Sequence, residues 1–180
     1  PHCEAITQFA RTVGAARAGD PVAARRSLER LQALHATLTE ARNTYWAEQV
    51  EIQGLAASGW IAHKEGRAEE AVRLLRAAAD REDATEKHPA TPAPVLPARE
   101  QLAEVLLEQG QATEALREYQ ASSVKEPGRL RGLVGAARAA LKAGQRDTAR
   151  KHYTELLALT APADTVLAEL TEARDFLGQR

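Results

Sequence analysis

The sequence has no methionine and a single cysteine, Cys3. One cysteine closes no intrachain disulfide and builds no thiolate metal cluster, and it is compatible with oxidising and reducing surroundings alike. Long apolar runs are missing too. Stretches such as Leu55–Ala57 and Gly59–Ala62 fall far short of the ~20 residues that span a bilayer, so no membrane insertion is expected. Pro1 is followed by no signal-like segment, and without an initiator methionine we expect a fragment or a processed product. Neither sign of charge dominates: 24 Lys and Arg stand against 25 Asp and Glu, and no basic run exceeds the length of Arg25–Arg26. That balance exerts no long-range pull on nucleic acid or anionic membranes. Signatures of catalysis are absent as well. There is no G-x-S-x-G elbow, no H-E-x-x-H pair and no glycine loop built to cradle phosphate, so we expect neither an enzyme nor a cofactor.

What the sequence does have is punctuation. Four glycines are each followed five residues later by an alanine: Gly19/Ala24, Gly66/Ala71, Gly110/Ala115 and Gly144/Ala149. Four residues beyond each alanine stands a large side chain, Leu28, Leu75, Tyr119 or Tyr153. Between these marks the residues are mostly good helix formers, Ala, Leu, Glu, Arg and Gln. Period and breakers together predict about nine helices and no strand. The first runs from about Cys3 to Ala18. Asp20–Pro21 then supplies an N-cap and a proline for the second, which reaches about Thr37. A long third helix spans about Glu40 to Glu65 and carries Trp46 and Trp60 near one face. Gly66 closes it, and a fourth helix follows. From Asp80 to Pro97 the composition changes, and half of the eight prolines fall there; an extended, stiff connection is expected. Two regular hairpins follow, of about Pro97–Gln109 with Ala112–Lys125 and Arg129–Ala143 with Arg146–Leu159. A last helix, about Asp164 to Leu177 with Asp164 as N-cap, suits a terminal cap with Leu167, Leu170, Ala173 and Leu177 inward and Glu169, Glu172 and Arg174 outside.

The last two glycines are 34 residues apart. With Leu102, Ala103, Leu106, Gly110, Ala115, Tyr119, Ser122 and Pro127 in one unit and Leu133, Ala137, Gly144, Ala149 and Tyr153 in the next, this pattern resembles the tetratricopeptide repeat (TPR) family. Two earlier units match more loosely, at glycine spacings of 47 and 44 residues. Strings such as Tyr45–Val50 and Glu82–Pro89 are also similar to the C-terminal part of larger bacterial TPR proteins, some of which begin with an export signal; cytoplasmic and exported locations both stay open. The resemblance implies an all-α, right-handed α-solenoid of about four TPR-like hairpins plus a C-terminal cap, in a single domain over 1–180. Its units would cover about 3–38, 40–83, 97–127 and 129–160, with the cap at 164–178 and a proline-rich insert at 84–97.

A TPR array presents its A helices as a concave groove, and the resemblance carries that groove onto Phe9, Val13, Arg17, Gln53, Trp60, His63, Lys64, Glu100, Glu104, Glu108, Arg131, Arg138 and Lys142. The resemblance therefore implies a protein or peptide partner, bound as a segment of mixed charge. The family's carboxylate clamp is not expected, since asparagine is absent from its positions and Glu100 and Glu104 would repel a carboxylate. An alternative is a small-ligand or divalent-metal site between the long third helix and the insert, with Glu82, Asp83, Glu86 and His88 as weak candidate ligands; their spacing matches no established motif. A third reading makes the repeats purely structural. His35 and His152 lie within helices without a ligand-spaced partner, and His2 and Cys3 are expected in a disordered start.

Overall fold

The computed structural model describes residues 1–86, 94–162 and 167–178. Among them the chain forms nine helices and no strand. These are α1 (His2–Ala18), α2 (Pro21–Glu40), α3 (Thr44–Lys64), α4 (Ala68–Ala84), α5 (Ala98–Glu108), α6 (Ala112–Lys125), α7 (Leu130–Lys142), α8 (Arg146–Leu159) and α9 (Ala168–Leu177). None is long and apolar enough to cross a membrane. The chain divides into two compact units, 1–105 and 106–180, with the division inside α5.

The glycine punctuation is a set of helix stops. Gly19, Gly66, Gly110 and Gly144 all adopt φ between 75° and 81°, a region that costs glycine nothing and other residues much. At each, the next amide reaches back five residues to close the helix: Asp20 N to Ala15 O, Arg67 N to Ala62 O, Gln111 N to Leu106 O and Gln145 N to Ala140 O, at 2.8–2.9 Å. After the first stop the Asp20 carboxylate accepts from Ala23 N at 2.9 Å and starts α2 as expected.

The second and third helices part at a turn the sequence reading runs through. α2 continues to Glu40, and α3 begins only at Thr44. The same five-residue bond closes α2, from Asn43 N to Leu38 O at 3.0 Å, but Arg42 takes the left-handed place at φ 55°. Asn43 then caps α3. The extra residues of the first gap are thus shared between two long helices.

In the first unit α1 pairs with α2 and α3 with α4, and the hairpins stack through α2 on α3 and α1 on α3. Leu31, Leu34, Leu38 and Val50 form its core with Ala5, Ala47 and Ala57, and Phe9, Leu28 and Trp46 pack against them. His2 is helical and stacks on Trp46 at 4.1 Å, so the start of the chain is ordered where disorder is expected. Burying each such Leu or Phe stabilises by about 1.5–3 kcal/mol. Helix α3 comes so close to α4 that a Cβ on Gly59 would lie 2.6 Å from Leu75 Cγ.

The second unit stacks α6 on α7, α7 on α8 and α8 on α9. Leu133, Val134, Tyr153, Leu156 and Leu170 are its core, closed by Leu167, the residue that precedes α9, and by Phe176 and Leu177 of α9. The Tyr119 ring lies over Gly135, where an added Cβ would collide with it. The expected N-cap Asp164 lies outside the described residues.

Candidate functional site

Expected groove residues of the first unit meet around Trp60. Helix α3 places this side chain at full burial, 0% exposed. Its indole Nε1 donates to Gln101 Oε1 at 3.0 Å, and Gln101 Nε2 donates to Leu96 O at 3.1 Å. That second bond fixes the amide so that its oxygen faces the indole. From α1, the Arg17 guanidinium lies 4.7 Å from the Trp60 ring centroid and donates through Nη2 to Glu104 Oε1 at 2.7 Å. Lys64 Nζ stands 5.7 Å from the same ring, and His63 meets it edge-on at 5.9 Å. A cation over an indole contributes about 0.5–2 kcal/mol, so the tryptophan organises the charges above it.

Two expectations are corrected here. Trp60 offers no free face to a peptide, because Gln101, Arg17 and the packing of α3 cover it. Glu100 is also buried, at 4% exposed, and projects no carboxylate into solvent. His63, Lys64 and Glu104 keep accessible surface, as does Arg17. Gln53, on the same helix, holds its Oε1 buried with no donor.

In the second unit Arg131, Arg138 and Lys142 are all exposed on α7. Arg138 is nevertheless spoken for. Its Nε donates to Glu172 Oε1 at 3.0 Å and its Nη2 to Oε2 at 2.5 Å, and the Tyr153 hydroxyl donates to the same carboxylate. The Arg138 hydrogen bond holds the Glu172 carboxyl below the usual carboxylate range, while burial pushes the Tyr153 hydroxyl up. Glu172 therefore does not stand outside on the cap, as its place in the stripe predicts. It ties α9 to α7 and α8. Of the expected groove positions in this unit, Arg131 and Lys142 stay exposed.

The candidate metal ligands are used otherwise. Glu82 Oε2 accepts from Ala98 N at 2.7 Å and so caps α5. Asp83 Oδ2 accepts from Arg99 Nε at 2.8 Å, and Asp80 accepts from the same guanidinium. These bonds anchor the start of α5 to the end of α4. Glu86 is exposed, His88 lies outside the described residues, and among the described residues no three His, Cys, Asp or Glu groups converge as a metal would need.

Sequence reasoning misses Gln101 and Glu172, the two residues that hold this arrangement together. Neither carries a local signal, since Gln101 is 41 positions from Trp60 and Glu172 is 34 from Arg138.

No protein-family model and no curated protein matches the chain. Among solved structures, it is similar to the crystal structure of PcrH from Pseudomonas aeruginosa, with a TM-score of 0.54 and 20% sequence identity, over 71% of this chain and 89% of that one. The likeness is one of fold, an all-α arrangement of repeated helices.

Proposed function

We propose that the chain is a TPR-type interaction module that binds an extended or helical segment of a partner protein and performs no catalysis. One observation carries this reading. Helices α1 and α3 bring Arg17 and Lys64 over the Trp60 ring, and α5 adds Glu104 as the partner of Arg17. The buried indole and the Gln101 bond beneath it hold that patch rigid, which lowers the entropy lost when a partner is ordered on it. Two cations and one carboxylate suit a segment of mixed charge whose acidic residue meets Lys64, because complementary charge sets register and partner choice. The 34-residue spacing from Gly110 to Gly144 and the repeated-helix fold support membership of the TPR family. In this reading residues 1–180 work as one domain, and Arg131 and Lys142 of α7 offer a second set of contacts.

Peptides selected from a random library on the immobilised chain test the proposal. The best of them is measured by fluorescence polarisation against wild type and an Arg17→Ala, Lys64→Ala double variant, with circular dichroism confirming that the variant stays folded. We expect at least ~10-fold weaker binding, about 1.4 kcal/mol. Equal affinity for both proteins, or a library that yields no binder, would sink the reading.

A further inference from the structure

A cavity of about 180 Å³ lies between α2 and α3 in the first unit, lined among others by Leu31, Val50, Gly54 and Leu55 with His35 and Glu51. It is not part of the groove above. His63 stands nine residues from Gly54 and so projects about 180° away on the same helix, at 3.6 residues per turn.

Gly54 is the informative residue. It sits in the interior of α3, where glycine is a poor choice for a helix. Gly59 on the same helix is explained by Leu75, which occupies the place of a side chain, yet a Cβ on Gly54 would meet nothing within 4 Å. The missing methyl therefore enlarges an open cavity and relieves no contact. Glu51 is the charged side chain of the lining. It accepts from Arg81 at 2.6 and 2.9 Å, and the same guanidinium also serves Glu48 at 2.9 Å. One cation shared by two carboxylates leaves this edge net negative. His35 Nε2 faces Glu51 at 3.9 Å.

We infer that this cavity is a docking pocket for one apolar side chain of leucine or phenylalanine size on a partner protein, carried beside a lysine or arginine that reaches Glu51. The volume decides against a cofactor or drug-sized ligand, whose sites run to about 300–1,000 Å³. It suits a single anchor residue of the kind that dominates protein interfaces. The inference stands apart from the groove reading and is tested apart from it.

The whole chain, isotope-labelled and followed by amide NMR, is titrated with Ac-Lys-Leu-Lys-NH2 and Ac-Lys-Phe-Lys-NH2. Ac-Lys-Ala-Lys-NH2 and Ac-Glu-Leu-Glu-NH2 serve as controls. The first two peptides are expected to move the Gly54 and Leu55 amides saturably, and the controls to bind at least about fivefold more weakly. Gly54→Leu, which fills the cavity, is expected to abolish the response. Gly54→Ala takes part of the space with the least disturbance and is expected to weaken it, which keeps the test alive should the leucine variant fail to fold. Glu51→Gln is expected to erase the preference for lysine flanks. Unmoved amides, an equal response to the alanine or glutamate peptide, or an unchanged response in both Gly54 variants would overturn the pocket. Shifts confined to His63, Lys64 and Glu104 would overturn it while leaving the groove reading in place.

Discussion

Gly59 and Gly54 lie five residues apart on α3 and illustrate opposite uses of the same side chain. At Gly59 an added Cβ would lie 2.6 Å from Leu75 Cγ and 3.3 Å from the Ala71 carbonyl oxygen. Leu75 is fully buried, so it has nowhere to retreat, and overpacking of this kind costs about 1–3 kcal/mol. At Gly54 the same methyl meets open space, and the helix gains about 0.5–1 kcal/mol from the better residue. Gly59→Ala should therefore lower the urea midpoint and Gly54→Ala raise it. Shifts of the same sign in both would contradict the packing described. His152 is a second residue whose environment outranks its type. Both its ring nitrogens are buried without a partner, and burial pushes the imidazole below its ordinary value. A depressed folded value means that the unfolded chain binds the extra proton first. The stabilising contribution is thus present above about pH 6.5 and lost as pH falls through the folded value. Replacing this residue, His152→Leu, should flatten the decline between pH 7.5 and 5.5 in chemical denaturation; an unaltered slope would show that His152 is not its source.

Helix boundaries are legible where the signal is local. The spacing predicts α6 and α8 at Ala112–Lys125 and Arg146–Leu159, and the structure has them there, because a glycine stop and the next helix start are written within a few neighbouring residues. The turn after α2 has no glycine or proline, and the sequence reading starts α3 at Glu40, inside the observed α2. Arg42 adopts the left-handed conformation there because the Asn43-to-Leu38 bond and the Asn43 cap impose it. That conformation costs a non-glycine residue roughly 1–2 kcal/mol, partly offset by the lower backbone entropy of arginine in the unfolded chain. Arg42→Gly is accordingly expected to raise stability by about 0.5–1 kcal/mol, read as a higher urea midpoint; a lower one would mean that the arginine side chain itself holds the turn. The candidate site is less legible than the helices for the same reason of range. Helical spacing puts Trp60, Gln53 and His63 toward one side of α3, but whether that side is open depends on Gln101 and Arg17, which arrive from other helices.

Across the molecule, charge and apolar burial have separate tasks. Ion pairs join the helices of the first unit: Arg30 with Glu4 at 2.7 Å, Arg25 with Glu65, Arg17 with Glu104 and Arg81 with Glu48. Most of these side chains are substantially exposed, and such pairs contribute about 0–1 kcal/mol each. Nor is there a global repulsion for salt to relieve, since the net charge is −1. The stacks are held instead by buried Leu, Ala and Tyr, whose contribution ordinary salt hardly changes. The partner binding proposed at Arg17, Lys64 and Glu104 would depend on charge at an accessible surface, where screening acts within about 10 Å at 0.1 M salt and a shorter distance above it. Raising sodium chloride from 0.05 to 0.5 M should therefore move the folding free energy by less than about 1 kcal/mol, while weakening a selected groove peptide roughly five- to tenfold. Urea titrations and polarisation measurements on the same samples separate the two effects. A peptide affinity indifferent to salt would rule out recognition through the charged patch. A steep loss of folding stability would place the ion pairs, rather than the apolar core, at the centre of what keeps the helices stacked.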